Sequence, residues 1–281
     1  MKKVALITGS TRGIGRALAI GLSKHGYDIV VTGKSVDNRT TIPGTIFTVS
    51  TEIKNLGGDS LPMKVDVQNY DDIEQLFKKI EERFGRLDLV INNAGALFWK
   101  NIDETNPKNY DLINNINSRG AFFISKLAIP LMIKSGGGHI IYQSPPLSSN
   151  SNEFKQTLKG KTAYMISKWG MTLGALGLSE ELKEANIGIG VNTIWPETPI
   201  ESYAVINNKL GDKSMWRTTD ITLDCVLEII KENPKVFTGN QLIDETYLRS
   251  KGINDFSKYQ CVAGSEPPKL NDINHLFKSK L

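Results

Sequence analysis

A chain of 281 residues with 40% hydrophobic and 23% charged side chains can bury a sizeable core, which excludes a disordered, collagenous or small disulfide-stapled protein. Its 34 Lys and Arg against 30 Asp and Glu leave a net charge of +4 with no basic cluster, so nothing in the charge calls for a nucleic-acid partner. Cys225 and Cys261 form no CxxC pair and fit a reducing compartment, and no apolar run approaches the ~18 residues of a membrane span.

Short apolar runs then alternate with amphipathic stretches, the pattern of βαβ units feeding a parallel sheet. Val4 to Thr8 predicts a buried strand; Gly9, Arg12 and Gly13 interrupt it before it could form a signal-peptide core. Gly13 to His25 predicts a helix, Asp28 to Thr32 a strand, Ile46 to Leu56 a helix and Leu61 to Val67 a strand. Ile73, Leu76, Phe77 and Ile80 repeat at helical spacing ahead of a strand over Leu87 to Asn92. Asn106 to Met132 predicts one long helix, His139 to Gln143 a strand, Lys161 to Ala185 a helix and Ile187 to Ile194 a strand. A helix over Ile221 to Glu232 and a strand over Val236 to Ile243 complete the pattern.

About seven strands with helices between them and no break in composition predict a single α/β domain, with its core over about 4–243 and an extension over 244–281. The expected architecture is a doubly wound, mostly parallel seven-stranded sheet of Rossmann type with helices on both faces. Turn-like composition marks Pro145 to Lys159, Trp195 to Thr219 and everything after Asp244. The first two of these loops are placed to cover a site at the carboxyl ends of the strands.

Directly after the first strand, Thr8-Gly9-Ser10-Thr11-Arg12-Gly13-Ile14-Gly15 spaces its glycines as GxxxGxG and runs into a helix. Glycines at such a turn let backbone approach a pyrophosphate, which free N–H groups and the helix N-terminus then bind. Gly9, Ser10, Arg12, Gly13, Ile14 and Gly15 are therefore the expected cradle. The end of the second strand selects the nicotinamide cofactor, since an acid there binds a ribose 2′-OH and a base accommodates a 2′-phosphate. Gly33-Lys34-Ser35, with Arg12 as a second cation, favours NADP(H) over NAD(H); the competing reading leaves Lys34 in solvent and gives the ribose to Asp37.

Tyr164 and Lys168 are four apart in a predicted helix and share a face. A free tyrosine ionises near pH ~10, and an adjacent ammonium favours the phenolate. Tyr164 can then give a proton to a carbonyl oxygen as hydride arrives, or remove it in the reverse direction. His25, His139 and His275 show no metal spacing and no GxSxG elbow occurs, so neither metal nor serine-hydrolase chemistry is expected.

Together, Thr8 to Gly15, Asn92-Asn93-Ala94-Gly95, Asn117 and Tyr164-Met165-Ile166-Ser167-Lys168 resemble the short-chain dehydrogenase/reductase family over about Val4 to Ile243. Ser144-Pro145-Pro146-Leu147, Trp195-Pro196 and Phe237-Thr238-Gly239-Asn240 with Ile243-Asp244-Glu245 are similar, more narrowly, to its hydroxysteroid dehydrogenase-like members. Animal proteins of that group add a sterol-carrier domain, for which this chain is too short. The resemblance implies that Asn93, Ala94 and Gly95 lie against the adenosine side of the cofactor, that Asp66 contacts adenine and that Val67 also binds the cofactor. Read alone, Asp66 could instead cap the following helix. It further implies ribose contacts for Lys168, a water near that lysine held by Asn117, and cofactor contacts for Pro196 and Thr198. Family members carry two serines after the fifth strand, the second holding the substrate oxygen; here the pair reads Ser144-Pro145. Ser144 is the named candidate, with Ser148, Ser149 or no serine as alternatives.

Phe98, Trp99, Tyr203, Met215 and Trp216 either line an apolar cleft for a fatty, acyl, steroid or terpenoid carbonyl or form the packed underside of a loop or an oligomer contact. The expected activity is interconversion of a carbonyl and an alcohol on a lipophilic substrate. An enoyl-CoA-type reductase and a non-catalytic dinucleotide sensor are the alternatives. The resemblance implies a homodimer or homotetramer through the two long helices, where Gly170, Gly174, Ala175 and Gly177 would permit close approach. Ser279-Lys280-Leu281 matches the address read by the peroxisomal import receptor, so a eukaryotic source implies a peroxisomal matrix protein and any other source a cytoplasmic one.

Overall fold

A computed structural model describes residues 2–37, 43–148 and 151–270. The strands are β1 (Lys3–Ile7), β2 (Tyr27–Gly33), β3 (Ser60–Lys64), β4 (Leu89–Asn92), β5 (Gly138–Gln143), β6 (Ile189–Trp195) and β7 (Gln241–Ile243). The helices are α1 (Gly13–Lys24), α2 (Ile46–Asn55), α3 (Tyr70–Phe84), α4 (Pro107–Asn114), α5 (Gly120–Lys134), α6 (Ser151–Leu158), α7 (Thr162–Glu184), α8 (Tyr203–Asn207), α9 (Asp220–Ile229) and α10 (Asp244–Ser250). All seven strands pair in parallel, in the order β3-β2-β1-β4-β5-β6-β7. The chain winds outward from β1 to β3, then returns to β4 on the other side of β1, the arrangement expected for a doubly wound sheet.

Strand alternation distributes the core between two layers. Ala5 and Ile7 of β1 pack with α1, α2, α9 and α10, whereas Val4 and Leu6 pack with α3, α5 and α7. Ile73, Leu76, Phe77 and Ile80 are all buried on α3, as their helical spacing predicts. Each such side chain contributes about 1.5–3 kcal/mol by leaving water.

Five features differ from the sequence-based expectations. The segment over Asn106 to Met132 is two helices joined by a π turn at Asn115–Arg119, where one inserted residue turns Asn117 inward. Within the Pro145 to Lys159 loop lies α6, and the Trp195 to Thr219 loop contains α8 and a short 3-10 turn. Only Gln241–Ile243 of the Val236 to Ile243 segment is a strand. Upstream of it, side chains take the bonding places beside β6: Val191 N donates to Thr238 Oγ1 at 3.0 Å and Asn240 N to Asn192 Oδ1 at 3.0 Å. The core also continues past 243, because Tyr247 and Leu248 of α10, with Phe256 and Tyr259, join the α1/α9 layer. These aromatic residues are scattered without a period, so no helical or strand pattern marks them.

Among the described residues, no helix is long and apolar enough to cross a membrane. Ser279-Lys280-Leu281 lies outside the described residues.

Candidate active site

The reversal of winding between β1 and β4 leaves a cleft of about 540 Å³ at the carboxyl ends of the strands. The glycine loop forms its floor. Gly9 has φ +67°, and a Cβ there would stand 3.0 Å from Ala94 Cα; at Gly15 a Cβ would come within 2.4 Å of Gly9 O and Asn93 Nδ2. Asn93 Nδ2 in turn donates to Thr8 O at 2.8 Å and Gly9 O at 3.2 Å, which locks the Asn93-Ala94-Gly95 turn onto the loop. At the head of the 12-residue α1, Arg12 gives no side-chain cap and the first turn holds no acid. The free N–H groups and positive dipole end therefore fit an anion such as a pyrophosphate.

Gly9, Arg12, Gly13, Ile14 and Gly15 line the cleft as expected. Ser10 does not: it is fully buried, and its Oγ accepts from Thr32 N at 2.9 Å, so it pins the loop to β2.

At the end of β2 the cleft wall carries Lys34 and Ser35 beside Arg12, whose Nη2 donates to Ser35 Oγ at 2.6 Å and Gly44 O at 3.3 Å. Asp37 is exposed and off the wall. Asp66 and Val67 line the cleft, but the Asp66 carboxylate is occupied by Lys34 Nζ at 2.7 Å and Gln68 N at 3.1 Å. Partial burial opposes ionisation of Asp66, yet the bonds from Lys34 and Gln68 outweigh it and hold its pKa below the usual value. The N-cap of α3 is Asn69, which removes the capping alternative for Asp66.

Tyr164 and Lys168 stand one turn apart on α7 in the opposite wall, 7% and 5% exposed. Lys168 Nζ donates to the backbone oxygen of Gln143 at 2.5 Å. Burial lowers the pKa of Lys168 to about 7. Burial raises the pKa of Tyr164 well above its ordinary value, opposite in direction to the effect expected of a neighbouring ammonium. Trp99 meets the Tyr164 ring edge-on at 6.3 Å, and Lys161 Nζ lies over the Trp99 ring at 4.9 Å.

The geometry leaves three other expected contacts off the cleft wall. Asn117 is fully buried outside the cleft wall, with both ends of its amide taken by protein. Its Oδ1 accepts from Ala96 N at 2.8 Å, and its Nδ2 donates to Ala96 O at 3.1 Å and Ser167 Oγ at 2.9 Å. It clamps the loop after β4 to α7. Ser144 is also fully buried and off the wall, its Oγ 3.0 Å from Thr172 Oγ1, which donates to Pro145 O at 2.7 Å. Of the alternatives, Ser148 is exposed and Ser149 lies outside the described residues. Pro196 lines the cleft, whereas Thr198 is buried beside it.

At the mouth, Trp99 and Tyr203 face the cleft with Leu97, Val205 and Leu210. Phe98 packs instead against Ile113 of α4 and the start of α7, and Met215 and Trp216 pack within the loop after β6, Trp216 Nε1 donating to Leu210 O at 2.7 Å. On the second long helix, Gly174 and Gly177 are open, but Ala175 is buried in the core and Gly170 faces Ser118 of the same chain.

Sequence reasoning missed Gln143, Trp195, Ser202 and Leu270, all of which line the cleft. Position at a strand's carboxyl end was the available signal for Gln143 and Trp195. For Leu270 there was none: it reaches the cleft because its N–H donates to Glu197 O at 2.8 Å and Lys269 pairs with the Glu197 carboxylate at 2.9 Å.

The short chain dehydrogenase family model matches residues 3–204. Hydroxysteroid dehydrogenase-like protein 2 of Bos taurus is 41% identical over 259 residues, covering 92% of this chain and 60% of the bovine protein. The Homo sapiens protein is 39% identical with the same coverage. The chain thus spans about three-fifths of the length of these relatives. A short chain dehydrogenase from Mycobacterium thermoresistibile superposes with a TM-score of 0.86 at 36% identity, over 95% of this chain and 93% of that one. A parallel doubly wound sheet, a glycine loop opening α1 and a matching family model over most of the chain make this protein a member of the short chain dehydrogenase family.

Proposed function

We propose that the chain interconverts a carbonyl and an alcohol on a lipophilic substrate with NADP(H). The observation that carries this reading is that Tyr164 and Lys168 share one cleft with the uncapped N-terminus of α1 and the Lys34, Ser35 and Arg12 group. The α1 N-terminus and glycine loop would hold the pyrophosphate, and the cationic group at β2 the 2′-phosphate. When bound, the dinucleotide supplies or takes up a hydride.

Tyr164 gives its proton to the carbonyl oxygen, and its raised pKa keeps that proton available at neutral pH. An ammonium has three donors; from Lys168 one goes to Gln143 O and one to Met171 Sδ, which leaves one for a ribose hydroxyl. Its charge also favours the phenolate that forms as the proton leaves. Leu97, Trp99, Val205 and Leu210 favour an apolar substrate body.

Tyr164→Phe tests the reading. NADPH affinity should stay within about twofold while turnover across a panel of aldehydes, ketones and acyl-CoA carbonyls falls by at least ~100-fold. Retained turnover in the pure variant would sink it.

We further propose self-association through α5 and α7, where Phe122, Ile166 and Leu173 are exposed around the open Gly174. Sedimentation showing only monomer at micromolar concentration would refute this. In a eukaryotic cell, with Leu281 as the free carboxyl end, Ser279-Lys280-Leu281 would direct the protein to the peroxisome. A fluorescent fusion leaving that end free should be punctate.

A further inference from the structure

We propose that the side-chain amide of Gln143 donates a hydrogen bond to the substrate's carbonyl oxygen; this rests on the carbonyl reading above. A carbonyl oxygen that gains negative charge has room for two donors, and Tyr164 supplies one. Among the described residues from Ser144 to Ser148, no serine lines the cleft to supply the other. Pro145 has no donor, Ser144 is engaged with Thr172 behind the wall, and Ser148 is exposed.

Gln143 ends β5 and is 7% exposed, yet it contributes to the cleft wall. Tyr142 turns the other way and donates to Ser125 Oγ at 2.6 Å. Strand alternation puts Gln143 on the sheet face opposite Tyr142, at the strand end that borders the cleft. Its Nε2 is buried with no hydrogen-bond partner among the described residues. Stranding such a group is costly, and few folds keep one without a use. An amide nitrogen can only donate, so its partner must be an acceptor that enters the cleft. The backbone oxygen of the same residue holds Lys168 Nζ, and Gln143 shares the cleft lining with Tyr164 and Lys168.

Gln143→Met keeps the length and removes the donor, and Gln143→Leu and Gln143→Ala vary the volume. Turnover, NADPH affinity and melting temperature are measured for each beside wild type and Tyr164→Phe. The expected result is a fall in kcat of about 100-fold in whichever variants remain folded, with NADPH affinity unchanged. The melting temperature of Gln143→Met should be unchanged or higher, because an unpaired buried polar group has been removed; a merely structural glutamine would lower it. Wild-type kcat in a folded variant overturns the proposal, and so does a loss of NADPH affinity that accounts for the whole defect. An active wild type with a silent Tyr164→Phe keeps the carbonyl reading standing in either case. A wild type that binds NADPH and reduces no carbonyl overturns both.

Discussion

Lys168 Nζ donates to the backbone oxygen of Gln143 at 2.5 Å, tying the middle of α7 to the end of β5 inside the cleft wall. The bond fixes the ammonium, but burial still brings its pKa down to about 7. Tyr164 is pushed the other way by burial and does not lose its proton in the same range. In the reduction direction, kcat/KM for NADPH reports the groups of the free enzyme. It should be flat below pH 7 and fall as pH rises through about 7, when Lys168 loses its charge. A profile level to pH 9 would show that Lys168 stays charged or plays no part.

The ion pair between Lys34 and Asp66 joins the two residues expected to sort the cofactors. Its Lys34 side is largely solvent-exposed and the pair adds little to stability, so a phosphate can take Lys34 from it. Lys34→Asp should weaken NADPH binding and strengthen NADH binding, shifting their ratio by about 10–100-fold, the size of one or two charge-assisted bonds. Fluorescence titration with both dinucleotides checks this. An unchanged ratio would mean that Arg12 alone meets the phosphate.

Ser144→Ala separates a structural serine from a reacting one. The bond to Thr172 is worth about 1 kcal/mol, so the melting temperature should drop by a few degrees while kcat/KM stays within about threefold. A loss of 100-fold without destabilisation would return Ser144 to the chemistry.

Asp244 stands at the junction of β7 and α10, its Oδ1 accepting from Glu197 N at 2.9 Å and Glu245 N at 2.7 Å. Burial raises it to about 7, and the neighbouring Glu197 charge adds to the effect, against those two bonds and Arg217. Between about pH 4 and 7 the folded protein keeps a proton that the unfolded chain releases. The stability this confers is complete below the unfolded value and is lost as pH rises through about 7, with a slope of up to ~1.4 kcal/mol per pH unit. Asp244→Asn keeps the Oδ1 acceptor without the titration. Its urea midpoint should change less between pH 5 and 8 than that of wild type; parallel losses in both proteins would refute the assignment.

Local order was legible in the sequence. The run from β1 through the glycine loop into α1 lies within about 20 residues, and Tyr164 and Lys168 are related by one helical turn, so neighbouring residues alone determined the anion cradle and the pair. Period and strand alternation likewise determined the two-layered core and the doubly wound order. What the chain could not disclose were contacts set by distant partners. Ser144 leaves the cleft because Thr172, 28 residues later, takes its hydroxyl, and Asn117 becomes a clamp because a π turn aims it at Ala96. Gln143 is an ordinary strand residue until Tyr142 and Ser144 are seen bonded elsewhere, which leaves its amide alone in the wall. Hydrogen-bond partnership is decided by which groups packing brings within about 3 Å, and only the tertiary structure makes that choice.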